Sequence, residues 1–106
     1  MAMDYKQLAQ GTLTGGADTL YTVPGATQAI IKSMMFVNYT GVGQTLKVTQ
    51  GGAADANTIL PQQTLDAGEM FAWENDPITL DAADDIRAVG GAAASITYTI
   101  WGAEVT

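Results

Sequence analysis

Apolar and polar residues alternate over short runs in this chain. In the segment TLKVTQ at residues 45–50, Leu46 and Val48 stand between polar neighbours, which is the period-two pattern of a strand with one buried and one solvated face. By contrast, no window of about a dozen residues keeps apolar side chains at helical spacing without a breaking residue in between. The pattern predicts an all-β protein.

Runs rich in Val, Ile, Thr and aromatic residues recur about every ten residues, separated by Gly, Pro, Asn and Asp, which is typical of an all-β sandwich or barrel. We predict about eight to nine short strands. Pro61 is expected to end one of them, because proline cannot donate a hydrogen bond to a ladder. The predicted strands cover residues 7–13, 19–23, 28–39, 45–50, 58–60, 69–74, 78–80, 85–89 and 95–105, with 63–65 as a further short run.

The length of 106 residues predicts a single domain spanning residues 1–106. Residues 1–7, MAMDYKQ, precede the first predicted strand and are expected to form an amino-terminal arm that becomes ordered on docking. This terminus lacks the basic and then apolar pattern of a secretory signal. No apolar stretch approaches the roughly 20 residues that a bilayer requires, so we expect no membrane association.

The composition removes most catalytic chemistry. The chain has no cysteine and no histidine, which excludes disulfides, thiolate zinc sites, imidazole metal ligands and the usual general base near neutral pH. The net charge is −7, and residues 55–106 hold nine of the eleven acids and only one of the four bases. Nucleic-acid binding is not expected, because phosphate contacts need clustered Lys and Arg. We predict no enzyme activity and no cofactor.

A five-residue phrase occurs twice, as LDAGE at residues 65–69 and LDAAD at residues 80–84. Either these acids surround a metal or a substrate, or they mark turns between strands. The second interpretation is favoured: Asp66 and Asp81 can bond their own backbone in Asx-type turns, while Leu65 and Leu80 anchor the core.

The acids Asp76, Asp81, Asp84 and Asp85 lie close in sequence, but they do not match a recognised calcium-ligand spacing. Asp84 and Asp85 point to opposite faces if they lie in a strand. A carboxylate pair from different strands stays open as the basis of a glycosidase. We predict no metal site.

Two features indicate a surface that meets another protein. Trp101 alternates with Thr97 and Thr99 in the last predicted strand and is expected to point away from the core. The strand at residues 28–39 is apolar on both faces, so it lies between two packed layers or buries one face against another chain. An oligomer is therefore expected. The two predicted faces of the strand at residues 28–39 carry Ile30, Lys32, Met34 and Phe36 on one side and Ile31, Met35 and Val37 on the other.

Several segments together resemble a group of small structural proteins from the virions of tailed bacteriophages. They are DTLYTVP, AIIKSMMFVNYT, LDAGE before FAW, LDAADDIRA and ITYTIWGAEV, and the resemblance spans residues 19–105. One departure is Ala83, which stands where such sequences commonly have glycine, and it argues against a left-handed turn at this position.

The resemblance implies an antiparallel β-sandwich, jelly-roll-like or immunoglobulin-like, in a virion component assembled in the host cytoplasm. It further implies a capsid decoration or cement protein that binds the major capsid protein lattice, with a homotrimer as the favoured oligomer. On this reading Met35, Val37 and Trp101 bury against another subunit, and Lys6 and Lys32 meet an acidic capsid surface. Two alternatives remain: a tail or baseplate component, and a carbohydrate-binding module with calcium at the turn of residues 81–85.

Overall fold

A computed structural model describes residues 3–52, 54–74, 77–91 and 95–106 of the chain. Strands account for most of these residues, and the one helical element is a single 3₁₀ turn at Asp55–Asn57. The strands are β1 (Met3–Thr12), β2 (Ala17–Thr22), β3 (Gln28–Asn38), β4 (Gln44–Gln50), β5 (Thr58–Leu65), β6 (Met70–Trp73), β7 (Ile78–Leu80), β8 (Asp85–Gly90) and β9 (Ile96–Val105).

The strands pair in a nested order, in which strands from the start of the chain pair with strands from its end. The first strand pairs with the last, β2 with β8, β3 with both β6 and β7, and β4 with β5, all antiparallel. Additional pairs, β3 with β9 and β4 with β8, complete two sheets. The first sheet has the order β1-β9-β3-β6, with β7 beside β3, and the second has the order β2-β8-β4-β5.

This arrangement is an eight-stranded jelly roll when β6 and β7 are counted as one interrupted strand. The predicted fold class is therefore confirmed: all-β, antiparallel and built as a sandwich of two sheets. Each sheet of a jelly roll needs one apolar face toward the core and one polar face toward solvent. Strands in which apolar and polar residues alternate, as in the short runs of this sequence, supply both faces.

The core lies between the two sheets and consists of the inward side chains of both. Leu46 and Val48 of β4 are buried as their alternation predicts, and so are Ile96 and Ile100 of β9. Phe71, on β6, packs at the margin of this core. The largest fully buried side chains include Phe36, Leu13, Ile31, Met34, Leu46, Leu80, Ile86, Ile96 and Ile100.

Two strands are longer than the sequence pattern suggests. The first, β1, begins at Met3 rather than at residue 7 and pairs along β9, so residues 3–7 belong to the sheet, whereas Met1 and Ala2 lie outside the described residues. The fifth, β5, continues through Pro61. It is an edge strand, and its register shifts between Leu60 and Gln63, which are the conditions under which a strand tolerates proline.

A β-bulge in β3 changes which residues face the core. Ile31 pairs with Gly102, and the next pair joins Ser33 to Trp101, so Lys32 is an extra residue in β3. The inward side chains are therefore Ala29 and Ile31 before the bulge, and Met34 and Phe36 after it. The regular alternation expected from the sequence was wrong for Ile30 and Ile31, because it did not include this extra residue.

The two LDA phrases do form turns. In each turn the fourth residue donates its backbone N–H to the carbonyl of the first: Glu69 to Asp66 at 2.9 Å, and Asp84 to Asp81 at 3.0 Å. Leu65 precedes the first turn and is buried. The two turns thus connect consecutive strands, and the buried leucine before each turn anchors the chain in the core, as the sequence predicted.

The hydrogen bonds of these turns differ from the predicted Asx pattern. The carboxylates of the fourth residues accept from the first: Glu69 Oε1 from the N–H of Asp66 at 3.0 Å, and Asp84 Oδ2 from that of Asp81 at 3.2 Å. The third residue of the second turn also differs from expectation. Ala83 is left-handed with φ of 71°, close to the 73° of Gly68 in the first turn.

We expect Ala83→Gly to stabilise the protein by about 0.5–1 kcal/mol, because a left-handed residue with a Cβ costs about 1–2 kcal/mol, offset in part by the greater freedom of glycine in the unfolded chain. Urea denaturation measures the change.

The matched control is Ala82→Gly in the same turn. Because Ala82 does not have a positive φ, this substitution should destabilise the protein slightly. Gly68→Ala should lower the free energy of unfolding by about 1 kcal/mol, because Gly68 holds the equivalent left-handed position in the first turn. A stability loss for Ala83→Gly as large as that for Ala82→Gly would contradict the strain assigned to Ala83.

Candidate functional site

The outer face of the first sheet is apolar along its central strand. Met35 and Val37 alternate with the core residues of β3 and are half-buried. Their partners on β6 are Ala72 and Met70, and Met70 is 54% exposed. We define the outer face of the first sheet as Ile30, Ser33, Met35 and Val37 of β3, Met70 and Ala72 of β6, and Thr97, Thr99 and Trp101 of β9.

Trp101 lies on this face between two β-bulges. In β1 the pairing passes from Gln7 opposite Trp101 to Ala9 opposite Ile100, which leaves Leu8 as the extra residue. The bulge at Lys32 lies on the other side of Trp101, in β3. Bulges redirect side chains and sharpen the local twist, so both strands that flank Trp101 are irregular where they meet it.

These irregularities shape an open pocket of about 290 Å³, which we call the Trp101 pocket. Trp101 is 36% exposed there. Two of its lining residues are lysines, and the ammonium group of one of them, Lys6, lies 2.7 Å from Glu104 Oε1. The pocket is lined by Lys6, Gln7, Lys32, Trp101 and Gly102.

The structure therefore brings together the residues that the sequence singled out. Lys6, Lys32 and Trp101 line one pocket, and Met35 and Val37 continue from it along β3. In a regular strand Lys32 would share the inward face of Met34, so the bulge is what carries its side chain outward. Their role in binding a subunit stays a prediction.

The outer face of the second sheet is different, because its charged groups are paired within the chain. Lys47 Nζ lies 2.7 Å from Asp55 Oδ1. Arg87 donates to Asp85 Oδ2 through Nε at 3.0 Å and Nη2 at 2.9 Å. Of its large apolar side chains, Val89 is 37% exposed. The charges of this face are thus paired, whereas the outer face of the first sheet carries the partly exposed apolar side chains of Met35, Val37, Met70 and Trp101.

Beside the Trp101 pocket, Glu104 joins three strands of the two sheets. Its Oε1 lies 2.7 Å from Lys6 Nζ of β1, and its Oε2 accepts a 2.6 Å hydrogen bond from the hydroxyl of Tyr21 in β2. These bonds, that of Lys6 first, hold the pKa of Glu104 below its ordinary value. Burial, and then the hydrogen bond to Glu104, raise the pKa of Tyr21. No sequence pattern indicates this contact, because residues 21 and 104 meet only in the folded chain.

The acids near residue 81 act within the fold. Asp81 Oδ1 accepts from Gln28 Nε2 at 3.1 Å, Asp84 closes its turn, and Asp85 pairs with Arg87. Asp76, the remaining acid of the glycosidase hypothesis, lies outside the described residues. Among the residues that are described, no group of three or more carboxylates is arranged to hold a metal ion.

A second pocket, of about 360 Å³, lies at the end of the sandwich where β3 begins and β9 ends. Small and apolar side chains form most of its wall, and Asp81 is the one charged residue that lines it. Because Asp81 is already bonded to Gln28, this pocket offers little for recognition of a polar ligand. The described part of the chain has no helix with the length and apolarity needed to span a membrane.

No protein-family model and no curated protein matches the chain by sequence. Its fold does match solved structures. A chain from the pili of Bacillus endospore appendages is similar over 99% of this chain and 87% of its own length, with a TM-score of 0.55 and 18% identity.

Two viral proteins share the fold as well. A chain of the capsid of Helicobacter pylori bacteriophage KHP30 is similar over 100% of this chain and 94% of its own length, with a TM-score of 0.58 and 13% identity. The coat protein of Tobacco streak virus is similar over 99% of this chain and 84% of its own, with a TM-score of 0.50 and 10% identity. At these identities the likeness shows the jelly-roll fold alone.

We expect Glu104→Gln to lower the free energy of unfolding at pH 7 by about 1–2 kcal/mol, because the ion pair is lost and one hydrogen bond to Tyr21 weakens. Since the folded-state pKa of Glu104 lies below its ordinary 4.5, its stabilisation is present above that pH and is lost as the pH falls through the folded pKa. Urea denaturation at pH 7 and pH 3 measures both effects.

The difference in the free energy of unfolding between the wild type and Glu104→Gln should be smaller at pH 3 than at pH 7. Asp55→Asn is the control, because Asp55 is exposed and its removal from Lys47 should change stability little. An equal difference at both pH values would contradict the electrostatic role of Glu104.

We expect Gly102→Ala to destabilise the protein by about 3 kcal/mol or more, because the added Cβ would overlap the carbonyl oxygen of Ile30 in the paired strand. Gly16→Ala is the matched control, since a Cβ there meets no atom within 4 Å. Thermal unfolding compares the two variants, and similar melting temperatures would contradict the close approach of β3 and β9.

Proposed function

We propose that this chain is a capsid decoration or cement protein of a tailed bacteriophage, which binds the outer shell and bridges major capsid protein subunits as a homotrimer. The observation that carries the proposal is the contrast between the two outer faces. One has its charges paired within the chain, and the other carries Met35, Val37 and Trp101, each partly exposed. The apolar face is the one that gains from burial against a neighbour.

The bacteriophage KHP30 likeness supports this proposal through size as well as fold. Because the match covers all of this chain and 94% of the capsid chain, the two chains are of similar length. A domain of this size with the same fold thus occurs in a phage capsid. The lack of cysteine and histidine fits a role that depends on buried surface rather than on catalysis.

The mechanism is stabilisation by mass action. A protein that binds the assembled shell and not the free subunits lowers the free energy of the shell by an amount that grows with its concentration. Strands β1, β9 and β3 together offer about 500 Å² of sheet surface, estimated from strand spacing and rise. This is somewhat less than the roughly 800 Å² per partner of a standard interface, so contacts at the margins must contribute.

The pilus likeness suggests a second candidate, a subunit of an extracellular fibre. The matched appendages are described as disulfide-linked pili. This chain has no cysteine, so it cannot form that linkage, and a fibre built from it would depend on non-covalent contacts. The decoration role is therefore the better supported of the two. Whether the protein lies on the capsid or on the tail is distinguished by imaging particles with and without it.

We expect the purified protein to bind shells that lack it saturably, at a stoichiometry set by the lattice. Trp101→Ala and Met35→Asp should each weaken binding about tenfold or more, because they remove or charge central apolar contacts. Co-sedimentation with shells measures binding, and circular dichroism checks that the variants fold.

The matched control is Val89→Asp, which places a charge at a similarly exposed apolar position on the other sheet and should bind normally. Normal binding of both Trp101→Ala and Met35→Asp would refute the assigned face. Failure of the wild-type protein to bind shells would refute the function.

A further inference from the structure

One end of the sandwich carries three large apolar side chains that remain exposed. Tyr39 is 54% exposed and Val42 is 62% exposed, both in the loop between β3 and β4, and Met70 at the start of β6 is 54% exposed. The other exposed large apolar side chains in the described part of the chain are Val89 and Trp101, which lie on different sheets. We call Tyr39, Val42 and Met70 together the apolar tip.

Two members of the apolar tip continue the outer face of the first sheet. Asn38 is fully buried, and the N–H of Tyr39 donates to the carbonyl of Ser95 at 3.2 Å, so the backbone stays in register beyond the end of β3. Tyr39 therefore follows Val37 at the spacing that places side chains on one face. Met70 pairs directly with Val37, and the Cβ atoms of such partners lie about 5 Å apart. Tyr39 and Met70 thus extend the surface of β3.

A buried asparagine fixes the loop that carries Val42. Asn38 Nδ2 donates to the carbonyl of Val42 at 2.8 Å and to that of Asp66 at 3.2 Å. Its Oδ1 accepts from the backbone N–H of Thr40 at 3.0 Å and from the Thr40 hydroxyl at 2.6 Å. The loop is therefore tied to itself and to the turn at residues 66–69. Because it is already ordered, it loses little conformational entropy when a partner covers it.

The area of the apolar tip indicates that it shares its partner with the outer face of the first sheet. Strands β1, β9 and β3 offer about 500 Å², which is less than the roughly 800 Å² per partner of a standard interface. An enclosed aromatic side chain buries about 150–250 Å², so Tyr39, about half exposed, adds on the order of 100 Å². Val42 and Met70 are exposed to a similar fraction. The apolar tip alone is too small to hold a partner, but it supplies most of the area that the sheet lacks.

The charges around the apolar tip are negative. Asp66 and Glu69 of the adjoining turn are exposed, and residues 39–43 and 65–74 contain no lysine or arginine. Glu69 Oε1 accepts a backbone N–H, a bond that does not neutralise its charge. Charge complementarity therefore favours a partner whose apolar surface is bordered by basic side chains.

We propose that the apolar tip docks on a major capsid protein subunit, in one interface with Met35 and Val37, against an apolar surface bordered by lysine or arginine. This inference rests on the decoration role in the proposed function. It adds Tyr39, Val42 and Met70 to the contact and specifies the chemistry of the surface that receives them.

Co-sedimentation with shells that lack the protein tests the proposal. Val42→Asp and Tyr39→Ala should each raise the dissociation constant about tenfold or more, because they charge or remove an apolar contact. Val89→Asp is the matched control for Val42→Asp, since it charges an exposed valine on the second sheet, and it should bind normally. Both positions of the apolar tip are exposed, so the variants should remain folded, which circular dichroism confirms.

The charge of the partner is tested at Asp66. Asp66→Asn should weaken binding about threefold at about 0.05 M salt and less at about 0.5 M, because salt screens the attraction to basic groups. Asp55→Asn, which removes an exposed acid beside the second sheet, should not change binding. Equal binding of Asp66→Asn and the wild type at the lower salt concentration would overturn the basic border.

Failure of this inference is distinct from failure of the decoration role. If the wild type binds shells and both Val42→Asp and Tyr39→Ala bind equally well, the inference is overturned and the decoration role stands. If the wild type ignores shells, both are overturned. If sedimentation velocity shows that the two variants disrupt an oligomer while shell binding is unchanged, the apolar tip contacts a second copy and the proposal is overturned.

Discussion

The close pairing of β3 with β9 is the constraint on which the rest of this structure depends. The two strands lie side by side in the middle of the first sheet, and at Gly102 they approach so closely that only glycine fits beside the carbonyl of Ile30. Directly after this point β3 takes up the extra residue Lys32. The bulge exchanges the inward and outward positions along β3, so one backbone irregularity determines both the core and the exposed face.

The consequence is a sandwich whose two outer faces differ in chemistry. On the second sheet, Lys47 and Arg87 have acidic partners within the chain. The Lys47–Asp55 pair involves an exposed carboxylate and adds little to stability, whereas Asp85, the partner of Arg87, is buried. On the first sheet, Met35 and Val37 cover the outside of a strand whose inside is already packed. A strand that is apolar on both faces of an outer layer gains from a partner.

The acids of the second half serve the fold more than any chemistry. The carboxylates of Glu69 and Asp84 close turns by accepting backbone N–H groups, and Asp85 pairs with Arg87. Glu104 connects β9 to β1 of the same sheet through Lys6 and to β2 of the other sheet through Tyr21. Acidity therefore combines local turn formation with the solubility that a high net charge provides.

The sequence by itself determined the strands, most of their inward residues and the two LDA turns, because alternation and turn residues act over a few neighbouring positions. It also pointed to Trp101, Met35 and Val37 as outward, since their nearest neighbours in the chain define their face. Only the tertiary structure decided the left-handed conformation of Ala83, the passage of β5 through Pro61 and the bulge at Lys32. Each of these depends on the register of a paired strand or on the closure of a loop between distant strands, and that information is not local to the residues concerned.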